Sequence, residues 1–221
     1  MKRLTVKSVV NTLLLLLIIS SFSYAGNATE WNLDKAHSSV NFTIDHFVTP
    51  IHGKFDDYNI DINFDPENLE DSKINVSIQV ASVKTGWEPR DKSLQTSDWF
   101  DTDKYDAISF ESSKIISKGD GNYVAEGKLK IKGVEKDVEL PFSLLGIKQI
   151  PEDWESLYYN VDKVASFVIH YSLNREDFNV GTGTSNQSTA AMLYKKFVTN
   201  EVKVYISVEA GHKISQHYIK L

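Results

Sequence analysis

The sequence predicts an all-β protein: eight antiparallel strands, packed as a sandwich or closed into a barrel, with one short helix near an end. Three observations predict it. Apolar and polar residues alternate with period two in five separate stretches, so each such strand has one face for a core and one for water. Turn signals separate several of the strands, at "DPEN" from Asp65, "KGDGN" from Lys118 and "KGV" from Lys132. The strands that end near Phe64 and Val80 run about ten residues or more, and long strands favour closure into a barrel over a sandwich.

The elements follow in order. In the first strand Val40, Phe42 and Ile44 share one face and Asn41, Thr43 and Asp45 the other. Tyr58, Ile60, Ile62 and Phe64 alternate with Asn59, Asp61 and Asn63, and Ile74, Val76, Ile78 and Val80 with Asn75, Ser77 and Gln79. Then the period breaks. "WEPRDKSLQTSDWFDTDKY", Trp87 to Tyr105, has no alternation; Pro89 suits a first helical turn, and the spacing of Arg90, Leu94 and Asp98 reads as a short helix followed by a loop. Less regular strands are expected over Ala107–Ile116, Asn122–Lys132 and Val164–Leu173. Val138, Leu140, Phe142 and Leu144 alternate with Glu139, Pro141 and Ser143, and Val202, Val204, Ile206 and Val208 with Lys203, Tyr205 and Ser207. "KQIPEDWESLYYNVDK" is a second break, a loop or short helix between strands. No composition shift or repeat divides the chain.

The N-terminus reads as a targeting segment. Lys2, Arg3 and Lys7 precede an apolar run, Leu13 to Ile19, and then Ser23 and Ala25 at the positions of a cleavage signal. The run is short for a membrane span, so residues 1–25 are expected to be a signal peptide cut after Ala25, and residues 26–221 the functional domain, periplasmic or secreted. The chain has no cysteine, which excludes lipid anchoring at a cut cysteine and any disulfide framework. Removal of the segment takes away three bases and no acid, leaving 21 bases against 30 acids, a net charge of −9. That balance argues against nucleic acid and against a broad electrostatic grip on anionic membranes.

Five segments, taken together, resemble the YceI-like family of exported bacterial proteins. "WNLDKAHSSVNFTIDHF" is similar to the family's opening, and "GKFDDYNIDINFDPENLEDSKINVSIQVASVKTG" continues it. "RDKSLQTSDWFDTDKYDAISFES" and "GKLKIKGVEKDVELPFSLLG" resemble two further family segments, and "NREDFNVG" also fits. The similarity runs over nearly all of Trp31 to Ala210. Ser93 stands where the family usually has His, Asp106 where it has Pro, and Trp99 replaces a Phe or a smaller side chain. The resemblance implies a lipocalin-like eight-stranded barrel with a short helix near one opening. It also implies a hydrophobic cavity for a long-chain isoprenoid or fatty-acid-like amphiphile, a homodimer in several members, no catalysis and no cofactor.

On that implication the inward register and the apolar side of the helix and loop select the cavity lining: Val40, Phe42, Ile44, Ile60, Ile62, Ile78, Val80, Leu94, Phe100, Phe110, Ile131, Phe142, Leu144, Phe167 and Ile169, of which about half would touch a ligand and the rest be plain core. His46 continues the inward register and would reach a polar head at the mouth, or be a satisfied histidine at a strand end. Arg90 would meet a phosphate or amide there, or else Arg90 and Asp91 fix the helix to the barrel. The alternative to a lipid carrier is a structural or interaction barrel whose lumen is closed by its own side chains, Phe42, Phe110, Phe142 and Phe167 among them.

Other chemistries find no footing. The histidines at 37, 46, 52, 170, 212 and 217 lack the spacing of a helical zinc site. "GTGTSNQST", Gly181 to Thr189, has no lysine and follows no strand–helix unit, so it reads as a flexible loop and not a phosphate cradle. There is no G-x-S-x-G, and His37 and Ser38 point to opposite faces of a strand, so no serine nucleophile is set up.

Overall fold

The computed structural model describes residues 29–154, 161–182 and 196–213. The expected signal peptide, most of the Gly181–Thr189 loop, part of the second break and His217 lie outside the described residues.

Ten antiparallel strand segments form one sheet: β1 (Glu30–His46), β2 (Thr49–Phe55), β3 (Tyr58–Asn63), β4 (Lys73–Gln79), β5 (Val83–Lys84), β6 (Ala107–Gly119), β7 (Asn122–Ile131), β8 (Val134–Gln149), β9 (Val161–Asn174) and β10 (Val198–Lys213). They amount to eight strand positions. β1 pairs with β3 through Trp31↔Ile62 and with β2 from Val40↔Phe55 to His46↔Thr49, so β2 and β3 are one bent strand. β4 and β5 are likewise split by a 3-10 turn, Val80–Ser82. Each strand pairs with the next, and β1 pairs back with β10 through Val40↔Ile206 and Phe42↔Val204, which closes the sheet into an eight-stranded barrel and leaves no long free edge.

Alternation fixes which side chains point inward, and a bulge resets it once in β1. The register against β10 shifts by three residues between Asp34↔Glu209 and Ser39↔Ser207. Before the shift the buried Trp31 and its neighbour Leu33 are inward; after it Val40, Phe42 and Ile44 are. Without the reset one half of the strand would turn its apolar side chains to water.

The period break is an α-helix, α1 (Glu88–Gln95), between β5 and β6. Pro89 lies in its first turn, where no hydrogen bond is lost, and Glu88 and Asp91 sit at the positive end of its dipole. Its surface side carries the ion pair Lys92–Glu88 at 2.7 Å. In the second break Glu152–Trp154 form a 3-10 turn.

At the barrel end away from α1, aromatic rings fill the interior. Phe64 is completely buried, with ring centroids 5.0 Å from Tyr123, 5.7 Å from Phe142 and 5.6 Å from Phe167, all edge-on. Tyr123 stacks on Phe142 at 5.2 Å, and the Trp31 indole packs edge-on to Phe167 while its Nε1 donates to the Phe64 carbonyl at 2.9 Å. Rings at these distances and tilts bury large apolar areas and add about 0.5–1.5 kcal/mol per pair beyond burial.

Candidate functional site

At the α1 end the barrel is hollow. A cavity of about 520 Å³ is enclosed by Phe42, Ile44 and His46 of β1, Ile51 and Phe55 of β2, Leu94 of α1, Trp99 and Phe100 after it, Ile108 of β6, Ile131 of β7, Leu173 of β9, and Val198, Val202 and Val204 of β10. Trp87, Pro89, Arg90, Arg175, Phe178 and Val180 complete its walls. A chamber of this size with almost entirely apolar walls suits an apolar chain.

Of the residues expected to line it, Phe42, Ile44, Leu94, Phe100 and Ile131 do so, with His46 and Arg90. Val40, Ile60, Ile62, Ile78, Val80, Phe110, Phe142 and Phe167 lie in the packed core, and Leu144 and Ile169 pack half-buried against it. The barrel is thus filled in one half and hollow in the other.

The space depends on a missing side chain. An ideal Cβ at Gly53, opposite Phe42 on β2, would fall 2.1 Å from the Phe42 ring tip. With no Cβ there, the ring seats against the strand, and Phe55 tilts over it at 5.6 Å.

Arg90 and Asp91 converge on Thr85. The buried Asp91 carboxylate accepts from the Thr85 backbone N–H at 2.8 Å and from its hydroxyl at 2.5 Å. Arg90 donates through Nε to the Thr85 hydroxyl and through one terminal nitrogen to the Thr85 carbonyl, both at 2.7 Å, and its guanidinium lies 5.9 Å from the Trp87 ring centre. Asp91 is not in the cavity wall. Together the pair ties α1 to the end of β5, which holds Leu94 over the lumen.

Arg175 is the polar group that sequence reasoning missed. It is only 4 % exposed. It donates to the carbonyls of Thr199 (3.0 Å), Val180 (2.7 Å) and Val198 (3.3 Å) and to the Asn200 side chain (2.9 Å), and lies 5.6 Å from the Trp99 ring centre. Burial pulls its pKa below the ordinary guanidinium value, opposed by the nearby Glu176 carboxylate. It clasps the chain leaving β9 to the start of β10. Val202, Val204 and Leu173 were also absent from the expected lining, although their inward register marks them.

Among the described residues the rim is apolar. Phe47 is 59 % and Val48 93 % exposed at the β1–β2 turn, where Phe47 adopts a left-handed φ of 56°. The Phe47 ring stacks on Phe197 at 3.9 Å, and its backbone N–H donates to the Phe197 carbonyl at 2.7 Å.

A broader concavity of about 1500 Å³ runs along the bulged part of β1 and the outward residues Asn59 and Asp61 of β3. Its walls mix charged and amide side chains with Trp31, Leu33, Ile60, Ile62, Val161 and Val164, whereas the barrel chamber is almost entirely apolar. Beside it, Asp34, His37 and Glu209 bring potential ligand atoms within 4.8 Å of one another. The His37 ring already bonds Asp34 at 2.8 Å, and Ser38 donates to the Glu209 carbonyl and accepts from its N–H, so the group fastens the bulge to β10.

The YceI-like domain model matches residues 31–210. A UPF0312 protein of Vibrio vulnificus is 32 % identical over 184 residues, covering 81 % of this chain and 92 % of the relative. The crystal structure of Burkholderia cenocepacia BcnA is similar at a TM-score of 0.67 and 26 % identity, covering 81 % of this chain and 99 % of that one. A polyisoprenoid binding domain from Saccharophagus degradans, at a TM-score of 0.57 and 12 % identity over 85 % of this chain and 99 % of that one, shares the fold.

Proposed function

The chain belongs to the YceI-like family, and on that premise we propose that it is an exported lipid-binding protein that holds a long-chain isoprenoid or fatty-acid-like amphiphile in its barrel. The observation that carries this reading is the apolar chamber of about 520 Å³ beside α1. Each methylene moved there from water contributes roughly 0.8 kcal/mol, against an association cost of about 4–15 kcal/mol. A chain of several buried isoprene units outweighs that cost, and a short one does not. The structural neighbour described as a polyisoprenoid binding domain supports the ligand class.

The reading is one of binding, transport or storage, with no chemical step and no cofactor. The lipid is the partner; nucleic acid is not. The pattern of residues 1–25 supports a periplasmic location after cleavage at Ala25, without a stable membrane anchor.

The test is organic extraction of the purified protein and mass spectrometry of the extract, with uptake of added prenyl lipid measured in parallel. A co-purifying lipid, or saturable uptake, is expected. A folded protein that yields none and takes up none returns the barrel to a structural or interaction role.

A further inference from the structure

The chamber has a floor, and the floor limits the ligand. On β10 the lining runs from Val198 to Val204, and on β1 from His46 to Phe42. One inward step deeper, Ile206 and Val40 already belong to the packed core, as do Phe110 beyond Ile108 on β6 and Leu129 beyond Ile131 on β7. Beneath them sits the ring cluster of Phe64, Tyr123, Phe142 and Phe167. Among the described residues, the barrel interior below this level is occupied by the packed core.

Two measures bound the space. Four residue steps of β1 from Phe42 to His46 and six of β10 from Val198 to Val204, at about 3.3 Å each in strands tilted about 40° to the barrel axis, give a depth of about 10–15 Å. A volume of about 520 Å³, at the roughly 30 Å³ that one water-sized group takes in a liquid, holds about 17 methylene-sized groups, or between three and four isoprene units.

We infer that this cavity buries at most three to four isoprene units, or a fatty chain of similar bulk, and gains nothing from a longer tail. The inference rests on the lipid-binding reading and adds to it a length limit set by Val40, Phe110, Ile206 and the rings below. A longer polyisoprenoid would run past the measured depth of the chamber, where the packed interior offers its remaining units no burial.

The experiment is a length series of prenyl alcohols of two, three, four and nine units, each displacing an apolar fluorescent probe from the purified protein. From two to three units the affinity rises by about tenfold or more, since the added carbons are buried. From four to nine units it changes by less than about threefold, since no further carbon is buried. An affinity that climbs steadily to nine units overturns the length limit while leaving lipid binding intact. Absence of binding at every length overturns the lipid-binding reading itself, and the limit with it. Two cavity-filling variants, Val204→Phe and Ile44→Phe, check the cause. In either one that unfolds thermally like the parent, affinity levels off at a shorter chain length; an unchanged levelling-off length in a folded variant overturns the proposal.

Discussion

The tip of the Phe42 ring occupies the place where a Gly53 side chain would begin, so these two residues on paired strands share one volume. Gly53→Ala must therefore push the ring off the strand and toward the lumen. The expected cost is about 1–3 kcal/mol of stability, the usual range for overpacking, together with weaker uptake of an apolar probe. Urea unfolding and probe titration measure the two effects. The double variant Gly53→Ala with Phe42→Leu should regain part of both, because the residues couple directly. Gly53→Ala with unchanged stability and uptake would show that the ring is free to move.

Arg175 should matter through its carbonyl partners. Replacing it with Met leaves the carbonyls of Thr199, Val180 and Val198 without their guanidinium donor, part of them far from water. The expected loss is about 2–4 kcal/mol, from neutral buried acceptors left without a donor at about 1–3 kcal/mol each, partly relieved where they reach water. Arg175→Lys should recover only part, since a single ammonium cannot reach partners fanned around a planar fork. Chemical denaturation decides it: a loss below about 1 kcal/mol for the Met variant would mean that water replaces the guanidinium at little cost.

The His37–Asp34 pair predicts a pH window. The Asp34 carboxylate, with Glu209 behind it, raises the His37 pKa above 6.5, and the same bond lowers Asp34 below 3.8. The His37 contribution is complete below its unfolded value and fades as pH rises through the raised folded one. The Asp34 contribution is complete above its unfolded value and fades as pH falls through the lowered one. Both are in force together between 3.8 and 6.5. The Tm difference between the parent and His37→Gln should therefore be largest near pH ~5 and gone by pH ~9. It should be small, because the pair is exposed, and smaller in high salt. A difference that persists undiminished at the alkaline end would assign the effect to bulge geometry and not to charge.

Much of the fold was legible because a barrel repeats one physical rule. Period two in Tyr58–Phe64 or Val202–Val208 states which side is buried, and the missing period at Trp87–Tyr105 states where the chain leaves the sheet. What alternation does not state is height along the barrel. Ile62 and Ile44 look alike in sequence, yet Ile62 lies in the filled half and Ile44 in the hollow one. Phe42 and Phe142 are likewise indistinguishable until Gly53 opposite one and Tyr123 against the other are seen. Arg175 was hidden for a different reason. A single arginine in "NREDF" has no periodic mark, and its burial follows from carbonyls brought together by the return of β10 beside β9.

The three-residue shift in β1 makes that strand a joint between two independently phased segments. The segment through Trp31 serves the ring cluster and the segment through Phe42 to His46 serves the chamber, each with its own parity. Inserting or deleting two residues between Asp34 and Ser39 would preserve both phases, whereas a single-residue change would turn one segment inside out. The joint is thus a natural splice point, where a chamber half of different bore can be grafted onto the same closed end by counting in pairs.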